Sequence, residues 1–145
     1  MGGFPKGAND RNSPTEDWSE VEAVIERDTG QPDGLIICSI RAHSPGNSGD
    51  SSERKVDTLK LPANFPNTME SRLHYREYLA EVKLFDGQVG KSLAMMQRLG
   101  LDESTALIVL AENGAGMPGG KWSHCDGGVR SAAVMKWPER YDAHG

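Results

Sequence analysis

Four residues carry side chains able to do chemistry on an anion: His43, Glu112, Asn113 and Lys121. Glu112-Asn113-Gly114 closes a short apolar run, TALIVLA, and opens a glycine-rich stretch that ends in Lys121. A buried strand that delivers a carboxylate, an amide and a lysine at its C-terminal end is how open α/β sheets build anion and metal sites. A second apolar run, GLIICSI, empties into Arg41-Ala42-His43. Two such runs discharging polar groups predict a shared active-site rim. Hard cations take oxygen ligands such as those of Glu112 and Asn113. Fixed cationic donors such as Lys121 stabilise developing negative charge.

The elements that must position these groups are read from patterning. Residues 1–16 are rich in Gly, Pro, Asn and Asp and are expected to be a flexible arm. A short helix is predicted over 17–28, with Trp18, Val21, Val24 and Ile25 on one side and Gly30 as its stop. Residues 35–40 are apolar on both faces, the pattern of a parallel strand covered by helices, with Cys38 a buried small hydrophobe. Residues 44–67 read as loop, with a brief extended LKLP.

The clearest element follows. Tyr75, Tyr78, Val82, Phe85, Val89, Leu93 and Met96 are spaced by 3, 4, 3, 4, 4 and 3, one continuous helical stripe. Asn67 as N-cap with Glu70 three residues on, and Gly100 as the stop, predict a helix over 68–99 that covers a sheet. Strands are expected at 106–110 and 132–137. Strand, long helix and strand make a right-handed crossover, the unit of a doubly wound, mostly parallel sheet.

In this order the residues resemble a known family, the sulfatases. His43-Ser44-Pro45 after an apolar run is similar to the family's His-x-Pro. LPANFPNT resembles its "lPp-nlPdt" segment. Tyr78-Leu79-Ala80-Glu81-Val82 and Phe85-Asp86-Gly87-Gln88-Val89-Gly90 resemble "Y-x-A-e-v" and "l-D-x-x-V-G". Residues 105–114 resemble "T-x-x-i-v-x-x-x-D-N-G", and Gly127-Gly128-Val129-Arg130 a "G-G-x-R". The likeness spans residues 33–138 and rests on order and spacing rather than on any one piece.

The resemblance implies an α/β fold, an incomplete alkaline-phosphatase-like doubly wound sheet, with 17–145 a partial sulfatase catalytic domain. It implies hydrolysis of sulfate esters on a small molecule or glycan and a divalent ion, Ca²⁺. By the same likeness Glu112 and Asn113 are metal ligands, Glu112 standing where the family has Asp. His43 and Lys121 donate to the sulfate oxygens. The family's nucleophile, a cysteine of C-x-P-x-R oxidised to formylglycine, has no counterpart: Cys38-Ser39-Ile40-Arg41 has Ile for Pro and its Arg one residue early, and Cys125 precedes Asp-Gly-Gly. The Asp-to-Glu change moves the carboxylate by about 1.5 Å, against a Ca–O distance of roughly 2.3–2.6 Å. The chain alone is therefore expected to be inactive, and association with a missing N-terminal half is a further expectation. The alternative is a non-catalytic relic acting as a binding or vestigial domain.

Composition bounds the rest. A net charge of −5 with sixteen scattered Lys and Arg gives no nucleic-acid footprint and no membrane-surface patch. No apolar run approaches the roughly 20 residues of a membrane span, and no signal-peptide h-region is present. Localisation stays open, since the family is often periplasmic, secreted or lysosomal. A nucleotide-binding reading of 115–121, A-x-x-x-x-G-K, fails at Trp122, where a phosphate-binding loop needs Ser or Thr, and WSHCDGGVR shows no helical stripe.

Overall fold

The structure is a computed structural model and describes residues 18–27, 30, 32, 34–43 and 46–138. The expected arm, 1–16, and Ser44-Pro45 lie outside the described residues. The chain divides into two compact units, with the boundary between Ile40 and Arg41.

The first unit holds helix α1, Ser19–Ile25, shorter than the 17–28 predicted. The expected strand 35–40 is described but carries no strand pairing. Ile36, Ile37 and Ile40 are 80%, 47% and 40% exposed, and Cys38 is exposed rather than buried. The correction has a physical reason. An all-apolar run reports a tendency to be covered, but a strand also needs a neighbour for its N–H and C=O groups.

The second unit is organised by helix α2, Met69–Arg98. Its apolar stripe is half-buried from Tyr75 to Leu93 and buried at Met96, and Ala80 and Met95 are buried next to it. Phe65, Tyr75 and Tyr78 pack ring to ring, edge-on at 5.6 Å and stacked at 6.2 Å. The N-cap is Thr68, not the predicted Asn67: the Thr68 hydroxyl oxygen accepts the Ser71 backbone N–H at 3.1 Å. Asn67 instead accepts the Arg72 Nε–H at 2.9 Å, and Arg72 Nη1 donates to the carbonyls of Val56 and Leu59. Those carbonyls belong to a single 3₁₀ turn, Val56–Thr58, and its cap residue Leu59. Gly100, at φ +68°, ends α2 as predicted, with Gly100 N–H on the Gln97 carbonyl and Leu101 N–H on that of Met96. This double closure is a Schellman motif.

Strand β1, Leu107–Leu110, pairs with β2, Ala133–Lys136. They run antiparallel, with Leu107 opposite Lys136 and Leu110 opposite Ala133. The fold is thus mixed helix and strand, with a small two-stranded sheet among the described residues. The expected parallel crossover is corrected here. No strand precedes α2 among the described residues. The segment 111–132 between the strands holds only α3, Asp126–Val129, too short to carry a crossover. A parallel pair needs a dozen or more crossing residues, usually a helix; a returning loop serves an antiparallel one. Lys136 also ion-pairs with Asp102, which tethers the end of β2 to the turn before β1. No helix among the described residues is long and apolar enough to cross a membrane.

Candidate functional site

The site is built on the loop that β1 and β2 hold between them. Past β1 the ladder continues as Ala111 N–H donating to the Ala132 carbonyl at 2.9 Å. Ser131 Oγ donates to the carbonyls of Ala111, at 2.6 Å, and Glu112, at 3.0 Å. Ser131 therefore fixes the backbone from which Glu112 and Asn113 project. The Glu112 residue is exposed, and Asn113 is half-buried. Asn113 Nδ2 donates to the Gly114 carbonyl at 2.7 Å, which orients the amide and leaves its oxygen as the atom a hard cation would take.

The glycine-rich stretch folds back on itself through its own backbone. Lys121 N–H reaches the Ala115 carbonyl at 2.7 Å, and Gly114 N–H that of Gly128 at 3.3 Å. Ser123 bonds the Gly120 carbonyl twice, from N–H at 3.1 Å and from Oγ at 2.8 Å. Gly128 is buried here, and a Cβ on it would meet the Gly120 carbonyl oxygen at 2.6 Å and overlap that of Ser123. Close backbone approach explains why the "G-G" precedes Val129-Arg130. The turn α3 is stabilised by an exposed Arg130–Asp126 pair at 2.9 Å, a helical turn where none was predicted. Asn64, from the LPANFPN segment, donates to the Pro118 carbonyl at 2.6 Å and ties the loop to the approach to α2.

Lys121 is half-buried, and its Nζ lies 5.6 Å from the centroid of the Trp122 ring. Trp122 is 91% exposed and sits at φ +76°, a left-handed backbone unusual for a bulky residue. Such a conformation costs on the order of 1–3 kcal/mol and persists only where its surroundings impose it.

His43 is exposed and borders a narrow cleft of about 20 Å³. The cleft is also lined by His74, Glu77 and Tyr78 of α2 and by Gly116 and Met117 of the loop. That volume admits a single water and no larger ligand. His43 and the loop thus share one cleft, whereas Glu112, Asn113 and Lys121 do not line it.

Sequence patterning passed over one buried acid. Glu81 is 3% exposed, and its Oε1 accepts the N–H groups of Ser48 at 2.7 Å and Gly49 at 3.0 Å. Its Oε2 is 4.0 Å from Arg41 Nη1. The signal was present: Glu81 lies three residues after Tyr78 and four before Phe85, on the apolar stripe itself. A charge in that position must be paired or bonded to be buried.

For a divalent ion, Glu112 and Asn113 offer oxygen donors of the right kind, but calcium takes six to eight. Among the described residues no group of three or more His, Cys, Asp or Glu side chains is arranged to hold a metal. Two such donor residues fall short of the six to eight oxygens of a calcium shell. No protein-family model matches the chain, and neither a curated protein nor a solved structure matches it.

Proposed function

We propose that this chain is part of a sulfatase-type catalytic domain, built on an alkaline-phosphatase-like sheet and directed at sulfate esters. What supports the reading is one loop, 111–132, that presents Glu112, Asn113 and Lys121 from a clamped backbone and, through Gly116 and Met117, lines a narrow cleft that His43 also borders. In this reading Lys121 and His43 donate to sulfate oxygens, and their positive or polarised N–H groups stabilise charge as the ester bond breaks. Glu112 and Asn113 hold part of a calcium shell, and the ion when bound supplies Lewis-acid polarisation of the sulfate. These 145 residues hold no C-x-P-x-R motif, so in this reading they bind esters without turning them over.

Calorimetry tests this directly. Calcium should bind the folded chain with millimolar or tighter affinity, and Asn113→Ala should abolish the heat. A folded sample that gives no calcium heat sinks the metal part of the reading.

The second reading, a non-catalytic relic that works as a binding module, is favoured by the sheet's uncovered apolar residues. Ile108 and Met135 face each other across the ladder, 55% and 56% exposed, and Leu110 and Trp137 extend the same face at 65% and 52%. Patches of this kind mark interaction surfaces. Calcium-independent association of the chain, unaffected by Asn113→Ala, would select it.

A further inference from the structure

We propose that the indole of Trp122 is a stacking platform for the ring that carries the sulfate ester, so that Lys121 and Trp122 read adjoining parts of one ligand. The inference rests on the sulfate-ester reading above. Three observations carry it. Trp122 is the most exposed large apolar side chain among the described residues, at 91%, although burying an indole is strongly favourable. Its backbone is held in the left-handed region, φ +76°, and the hydrogen bonds of Lys121 to Ala115 and of Ser123 to Gly120 fix both flanking residues. The ring is thus presented outward by a constrained loop. Third, the Lys121 ammonium lies over one face of the indole, 5.6 Å from the ring centroid, so an anion on Nζ is held next to the ring. A six-membered ring one ester bond from that anion is within reach of the indole face that Nζ leaves open. The cleft beside His43, about 20 Å³, is too small for such a ring.

An aryl ring and the C–H face of a pyranose share this stacking chemistry, and the probes separate them. The test follows the three tryptophan indole N–H signals of the full chain by NMR, with Trp122→Phe assigning the relevant one. Inorganic sulfate, phenyl sulfate and glucose 6-sulfate are titrated in turn. Stacking predicts that a ring ester shifts the Trp122 signal alone and binds about five- to tenfold tighter than inorganic sulfate. Trp122→Ala should bring the ester down to the affinity of sulfate, while Trp122→Phe keeps most of the gain. A response to phenyl sulfate only assigns an aryl substrate, and to glucose 6-sulfate only a carbohydrate. Equal affinity of esters and sulfate, or an ester affinity indifferent to Trp122→Ala, overturns the platform while leaving a Lys121-dependent sulfate site standing. If inorganic sulfate and both esters fail to bind the folded chain, the sulfate-ester reading and the platform fall together.

Discussion

The carboxylate of Glu81 and the guanidinium of Arg41 approach to 4.0 Å, with both side chains almost wholly out of water. That distance is the outer edge of an ion pair, whereas the two N–H bonds from Ser48 and Gly49 to the same carboxylate are short. The carboxylate is therefore held chiefly by the backbone of the 46–50 loop. Glu81→Ala leaves the N–H groups of Ser48 and Gly49 without this acceptor and should destabilise the fold by about 1–3 kcal/mol. Arg41→Ala should cost less, because the N–H bonds survive it. Denaturant unfolding of the two variants orders them, and a larger loss for Arg41→Ala would refute the assignment.

Glycines in this chain divide by what surrounds them. Gly128→Ala drives a methyl into the carbonyls of Ser123 and Gly120 and should cost about 1–3 kcal/mol. Gly90 lies inside α2 with nothing within 4 Å of a Cβ, so Gly90→Ala should stabilise by about 0.5–1 kcal/mol. Opposite shifts of Tm are expected, and shifts of one sign would show that the loop is not packed as described.

Helix α2 begins at Thr68. Thr68→Ala should lower stability by about 1 kcal/mol through the lost bond to Ser71 N–H. Asn67→Ala leaves that cap intact and loses a bond from Arg72, whose other donors still hold Val56 and Leu59. The two variants separate by circular dichroism, with the greater loss of helicity in Thr68→Ala. Equal losses would return Asn67 to the capping role.

Tyr78 has its phenol pushed above the ordinary value of 10.0, first by burial and then by its neighbour Tyr75. A pKa raised on folding contributes stability that is intact below pH 10 and is lost as pH rises through the raised value. Ultraviolet titration should show this phenol ionising after the others, and Tyr78→Phe should flatten the alkaline fall in stability. An unchanged alkaline limb in Tyr78→Phe would assign the loss elsewhere.

What the residues disclosed depended on how local the cause was. The stripe from Tyr75 to Met96 repeats over seven positions, so α2 was legible almost to its ends, and Gly100 marked its stop. The start was misplaced by one residue because Asn67 and Thr68 are both good caps, and only the partners of their oxygens decide. Residues 107–110 and 133–136 were readable as strands, but their antiparallel direction was not. Apolar runs record burial, while direction depends on how the chain between them returns. Glu112 and Asn113 are neighbours in sequence and so were found together, whereas the cleft that His43 and Met117 both line is a long-range feature that no local pattern encodes.

The strand pair has a kinetic consequence. Ala111 and Ala132 form a bonded pair, so the amides of Val109 and Leu107 also point into the ladder, and those of Ile108 and Leu110 point away. Hydrogen exchange along β1 should alternate, slow at 107 and 109 and fast at 108 and 110. Two short strands with open flanks are marginal by themselves. Their few shared amides act as a clasp, and its lifetime governs how long both ends of the 111–132 loop are kept together.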